Sequence, residues 1–118
     1  MNAARAAMAA HRRAAKLIAL ALAAAAPLSL ADAPAATIRI EGYAFVPPEV
    51  VVRAGSVVRW ENAEKRTSHS ILFTGPGGFE SDRLFPGEHY ERRFDRPGRY
   101  AYGCGPHPEM RGVIVVEP

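Results

Sequence analysis

Cys104, His107 and Met110 stand at three-residue intervals in the stretch YAYGCGPHPEM, residues 100–110. Cys104 is the only cysteine of the chain. The three offer a thiolate, an imidazole nitrogen and a thioether. Soft sulfur combined with imidazole favours copper, above all Cu(I), whereas carboxylate-rich sites favour hard cations. One copper geometry uses two histidines and a cysteine in a trigonal plane with a distant axial methionine. The stretch holds three of those four donors, so a second histidine must come from elsewhere.

Beyond residue 31 the histidines are His69, His89 and His107. His69 lies in KRTSHSILF, where a polar loop runs into an apolar segment, and a residue there can reach the end of a sandwich at which the 104–110 loop also turns. His89 lies among charged residues in GEHYERRF and reads as a solvated surface histidine. Pro106 and Pro108 flank His107; each fixes its own φ and restricts the residue before it, so His107 sits in a stiff, non-helical turn. Taken singly, a methionine after a turn is usually core and a lone cysteine is often a buried apolar residue. The spacing C-x-x-H-x-x-M, with a histidine at a second segment, makes coincidence the weaker account. Zinc also takes cysteine and histidine and is the main chemical rival, but methionine is an unusual zinc ligand. A Cys–His nucleophilic pair is weaker, since nothing marks a substrate pocket, and C-x-x-C-H for covalent haem is absent.

The elements that must position these donors are strands. TIRIE puts Ile38 and Ile40 on one face; EVVVR and SVVRWEN are β-branched or aromatic runs split by Ala54–Gly55; SILF is a short apolar run, and TGPGG is a loop. PGEHYERRF and RPGRYAY each begin at a Pro-Gly turn, and GVIVVE follows the donor cluster. In SVVRWEN, Val58 and Trp60 share a face opposite Arg59 and Glu61. Short strands with turn signals between them, and no helical period after residue 36, predict an all-β Greek-key sandwich or barrel of about seven to eight strands. No internal repeat or second domain is visible.

The N-terminus differs in kind. Residues 1–16 carry Arg5, His11, Arg12, Arg13 and Lys16 and no acid, and LIALALAAAA (Leu17–Ala26) is continuously apolar. With Ser29 and Ala31 as small residues two apart, this is the plan of a secretory signal peptide, with a helical apolar core, cleaved after Ala31. The apolar run is shorter than the roughly 20 residues that span a bilayer, so membrane insertion of the mature chain is not expected. RRAAKL at 12–17 weakly echoes a twin-arginine export signal. The organisation expected is therefore a signal peptide at 1–31, a short leader at 32–36 and one domain at 37–118. Residues 32–118 set 11 bases against all 12 acids of the chain, a net −1, so the +3 of the full sequence belongs to the export segment. That leaves no basic footprint for nucleic acid. A domain of this size buries about 60–65% of its unfolded surface and is marginal without a staple. One cysteine cannot supply a disulfide, so a bound metal is the staple on offer.

These segments resemble the cupredoxins, the small blue-copper proteins, and within them the plastocyanin–pseudoazurin–amicyanin group, most closely amicyanin. YAFVPPEVVVRAGSVVRWEN is similar to that family's opening strands, SHSILF to the segment carrying its first histidine ligand, FPGEHYERRFDRPGRYAYGC to its approach to the copper loop, and CGPHPEMRGVIVVE to its short ligand loop and final strand. The resemblance implies one type 1 copper ion held by His69, Cys104, His107 and Met110. It implies a His107 ring edge at the surface, with Pro106 and Pro108 forming a hydrophobic docking patch. Two departures stand out. Ser70 occupies the place of an asparagine that ties the two ligand loops together, so the tether is expected to be weaker or differently made. Glu109 stands where an apolar residue is usual, and a carboxylate beside the patch favours basic partners.

The expected function is that of an exported, monomeric carrier of single electrons by Cu(II)/Cu(I) cycling. It would dock redox proteins such as a c-type cytochrome or a periplasmic dehydrogenase near Pro106, His107 and Pro108. A copper-delivery protein using the same site is the alternative. Copper oxidases and nitrite reductases need a further histidine-rich site, and after His69 and His107 only His89 is left, so the chain is not expected to be an enzyme.

Overall fold

The computed structural model describes residues 33–118. The signal peptide and its cleavage point, read from the sequence, lie outside the described residues. Nine strands follow in order: β1 (Ala36–Glu41), β2 (Ala44–Val46), β3 (Glu49–Arg53), β4 (Ser56–Asn62), β5 (Leu72–Phe73), β6 (Phe79–Glu80), β7 (His89–Phe94), β8 (Gly98–Gly103) and β9 (Arg111–Glu117). There is no helix among the described residues, and none there is long and apolar enough to cross a membrane.

The strands form two sheets, β2-β1-β4-β7 and β3-β9-β8-β5-β6. Pairing is antiparallel except for β1 with β4 and β3 with β9, which are parallel. The period-two alternation of each strand sends one set of side chains inward. Ile38 and Ile40 of β1, Phe45 of β2, Val58 and Trp60 of β4 and Phe94 of β7 are buried. They meet Val50 and Val52 of β3, Phe73 of β5, Tyr102 of β8 and Ile114 and Val116 of β9 in one cluster, the core of a β-sandwich. Trp60 is its centre, edge-on to Phe73 at 6.0 Å and to Tyr102 at 5.4 Å between ring centroids. The opposite faces of β4 carry Arg59, which bridges Glu61 and Glu91 on the surface.

Two turns shape the frame. Gly42 and Tyr43 both have positive φ, 60° and 55°, as a two-residue hairpin loop demands; Tyr43 is the non-glycine residue that accepts this conformation. At Ala54–Gly55 the chain crosses from one sheet to the other. The Ala54 N–H donates to the Glu117 carbonyl and the Gly55 N–H to the Phe94 carbonyl, so the corner is fastened to both sheets. Gly55 has φ 90°, which a side chain would strain.

Two short strands were not legible as such. β2 is three residues within a proline-bounded stretch, and β6 is two residues after the glycine-rich loop, too short to show an alternation. Conversely, SILF forms a ladder only at Leu72–Phe73, because the chain just before it is diverted into an isolated bridge between His69 and Leu84.

Candidate metal centre

The donor loop is the connection between β8 and β9, residues 104–110, closed by the Gly103–Arg111 register pair. Cys104 leaves the end of β8 and is 2% exposed. The Met110 N–H donates to the His107 carbonyl at 3.0 Å, which makes residues 107–110 a turn with Pro108 at its second position, where a fixed φ suits it. Met110 is buried at the start of β9 and belongs to the core cluster. His107 and Pro106 are half-buried, while Pro108 and Glu109 are exposed.

His69 arrives from the other side of the sandwich mouth, and Asn62 steers it there. Asn62, 2% exposed at the end of β4, donates through its side-chain amide to the Thr67 carbonyl at 2.9 Å and the Leu84 carbonyl at 2.8 Å. Its Oδ1 accepts from the Glu64 N–H at 3.0 Å. The loop between β4 and His69 is thus wound around one buried side chain. His69 then exchanges two backbone hydrogen bonds with Leu84, at 3.1 and 2.8 Å, and is completely buried.

The three donors converge. Nδ1 of His69 and Nδ1 of His107 are 3.2 Å apart, and each is 3.6 Å from the Cys104 Sγ. A point equidistant from the three lies about 2.0 Å from each, the bond length that imidazole nitrogen makes to a first-row metal ion, with a thiolate usually some tenths longer. Among the described residues, these are the group of three or more His, Cys, Asp or Glu side chains placed to share an ion. Two imidazoles and a cysteine sulfur, with the buried Met110 after the His107 turn, form a soft donor set, so the residues present fit copper. His89 does not join them; it is exposed on β7 and pairs in register with Glu61.

The outer contacts orient these groups. Burial, reinforced by the neighbouring His107, holds the His69 pKa below its usual value, a shift that favours the neutral ring that ligates metal; Glu64 opposes it. The His69 Nε2 has no hydrogen bond but faces the Glu64 carboxylate at 3.6 Å. Glu64 is in turn fixed by the Tyr43 N–H at 2.7 Å. The Tyr43 ring stands edge-on to both histidines, with centroids 5.7 Å from His69 and 5.1 Å from His107. Its hydroxyl pairs with that of Thr67 at 3.0 Å. The left-handed backbone of Tyr43 therefore presents one residue twice, as an N–H to Glu64 and as a ring to the histidines.

Ser70 makes the expected tether in another way. Its N–H donates to the Cys104 Sγ at 3.4 Å, and its hydroxyl accepts from the Gly105 N–H at 3.0 Å. The His69 and Cys104 loops are joined by a backbone donor and a hydroxyl. Sequence reasoning named His69, Cys104 and His107, which converge, but not Asn62, Glu64, Tyr43 or Glu80, whose carboxylate accepts from the Ser70 hydroxyl. Asn62 had a signal, as the last residue of a Val-x-Trp-x-Asn strand; the acids and Tyr43 had none, because only the fold brings them to the site.

Comparison with known proteins agrees with this geometry. The family model of the copper binding proteins, plastocyanin/azurin family, matches residues 33–117. The chain is similar to amicyanin-alpha of Methylorubrum extorquens, at 40% identity over 103 residues, 82% of this chain and 86% of that protein. The crystal structure of amicyanin from Paracoccus versutus superimposes with a TM-score of 0.67 at 34% identity, over 78% of this chain and 92% of that one. A copper-containing nitrite reductase from Thermus scotoductus superimposes with a TM-score of 0.66 at 29% identity, but this chain spans only 23% of the enzyme. Strand order, converging donors and sequence kinship agree: the chain belongs to the plastocyanin/azurin family of copper-binding proteins.

Proposed function

We propose that the protein is a small blue-copper electron carrier whose single metal is held by His69, Cys104, His107 and Met110. The observation that carries this reading is the convergence of two imidazole Nδ1 atoms and one cysteine sulfur, 3.2–3.6 Å apart, at the mouth of the sandwich. Copper bound there supplies one-electron Cu(II)/Cu(I) chemistry. The chain's own residues do the rest. Asn62 and the His69–Leu84 bridge fix one imidazole, and the Pro106–Pro108 turn fixes the other. Ser70 fixes the sulfur, and Met110 closes the apolar side. Ligands held this firmly barely move between oxidation states, which keeps the reorganisation cost of electron transfer low.

The half-buried His107, beside Pro106, Pro108 and the half-exposed Tyr43 ring, is the path for electrons between the site and a partner. A c-type cytochrome or a periplasmic dehydrogenase fits such a patch, and the exposed Glu109 favours a partner with a basic rim. The protein carries electrons and is not a catalyst; His89, which among the described residues stands apart from the donors on β7, supports this. It acts as a monomer in the periplasm after cleavage near Ala31, a reading supported by the basic, apolar and small-residue order of residues 1–31. Residues 32–36 are its leader and 37–118 its domain.

The test is the optical and EPR spectrum of the mature protein loaded with Cu(II), beside Cys104→Ser. An intense thiolate-to-copper band with narrow hyperfine splitting, absent from the variant, is expected. A pale copper spectrum, or zinc bound tightly with copper refused, would overturn the reading. Rapid electron exchange with a cytochrome separates a carrier from a copper-delivery protein, which would instead pass its metal quickly to an apo acceptor.

A further inference from the structure

Glu80 lies outside the donor set, at the end of the short strand β6, paired in register with Leu72. The Ser70 hydroxyl donates to its Oε1 at 2.7 Å. That same hydroxyl accepts the Gly105 N–H at 3.0 Å. A serine hydroxyl has one hydrogen and two lone pairs. With its hydrogen committed to a carboxylate, in a charge-assisted bond, the oxygen can only accept from the cysteine loop.

We propose that Glu80 is a positioning residue for the cysteine ligand, acting through Ser70 on the Cys104–Gly105 peptide. The peptide unit is planar, so anchoring the Gly105 N–H also sets the Cys104 carbonyl and leaves a single backbone torsion, ψ of Cys104, between that plane and the Cys104 side chain. Ser70 is completely buried, and its own N–H points at the Cys104 sulfur. One residue thus holds the cysteine at two points, and Glu80 decides the polarity of one of them.

An independent observation comes from Gly105. A Cβ at this position would overlap the Glu80 carboxylate and come within 2.8 Å of the Ser70 hydroxyl. Gly105 has no positive φ that would otherwise call for glycine. Its missing side chain is the space in which the carboxylate sits, so Gly105 and Glu80 are a matched pair. The base of β6 is pinned to the His69 segment as well: Ser81 and Ile71 exchange N–H donations, to the Ile71 carbonyl and to the Ser81 hydroxyl, both at 2.9 Å. Glu80 therefore stands on a fixed support.

This role rests on reading Cys104 as a metal ligand, and the two fail separately. A Cu(II)-loaded wild type without a thiolate band would sink the metal reading. Amide hydrogen exchange at Gly105 in the metal-free protein tests the tether by itself. In Glu80→Ala the Gly105 amide is expected to exchange about tenfold faster, the equivalent of one hydrogen bond to a charged group. Amides of β1, β4 and β7 serve as the folding control and should be unchanged. Glu80→Gln keeps an acceptor for the Ser70 hydroxyl and should retain most of the protection. Gly105→Ala should resemble Glu80→Ala and add little on top of it, since both displace the same carboxylate. With copper bound, Glu80→Ala should shift the thiolate-to-copper band while Glu80→Gln keeps it near the wild-type position. Gly105 exchange within twofold of wild type in Glu80→Ala, with Ser70→Ala strongly accelerated, would overturn the proposal. So would full additivity of Glu80→Ala and Gly105→Ala.

Discussion

The two ends of this molecule are held together by different physics. Between the sheets the buried side chains are apolar, with Trp60 packed against rings from β5, β7 and β8. At the metal end lie all four buried polar residues among the described ones: Asn62, His69, Ser70 and Ser81. Area holds the first region and direction holds the second. Burial of apolar surface is non-directional and tolerates small shifts, whereas a hydrogen bond weakens steeply with angle. The core therefore sets how stable the protein is, and the polar end sets where the donors point. A substitution in one region should register in stability, and one in the other should register in the spectrum.

The largest effect should come from emptying the core. Trp60→Ala removes a fully buried ring, and about 3–5 kcal/mol of stability should go with it. Denaturant unfolding of the metal-free protein measures the loss, and the remaining folded fraction should still give the thiolate-to-copper band at its usual position. A large displacement of that band would break the division between the two regions. Removing copper should come next. Metal bound only by the native state stabilises by about 4 kcal/mol when free copper is a thousandfold above its dissociation constant. Calorimetry with and without copper is the check, and equal melting would contradict it.

Asn62→Ala sharpens the contrast. It takes a partner from the Thr67 carbonyl and the Glu64 N–H, while the Leu84 carbonyl keeps the His69 N–H, at about 1–3 kcal/mol, a smaller loss than the core substitution. Yet it should weaken copper binding, which Trp60→Ala should do far less; a competitive chelator titration of both variants decides this. His89→Ala should be the smallest, within about 0.5 kcal/mol and with the copper spectrum unchanged, because His89 is an exposed residue outside both regions. A lost or altered band in this variant would contradict the surface reading of His89.

The same division explains what could be read from residues alone. Strands with a buried face announce themselves by alternation, and Ile38, Ile40, Val58 and Trp60 lie where the period places them. Cys104, His107 and Met110 could be read because they are close in sequence and unusual in kind. His69 was legible from its position at a loop-to-strand junction. The supporting contacts were not, since Glu64 meets His69 and Tyr43 through a loop wound on Asn62, and Glu80 meets Gly105 across a sheet edge. No periodicity encodes such meetings. Ser70 shows the limit most clearly. Its short side chain suggests a weaker tether until Glu80, ten residues away, is seen to complete it.

β9 runs between β3 and β8, an interior member of its sheet. It lies parallel to β3, from Glu49↔Val113 to Arg53↔Glu117, a pairing that bridges most of the domain in sequence and carries a high loop-closure cost. Nothing can replace it in the sheet while it is missing. A chain in which β9 is unpaired therefore cannot assemble this sheet by halves. The metal pocket is completed with the same strand, because Met110 directly precedes it. Capture of the ion accordingly waits on the pairing of β9 with β3 and β8.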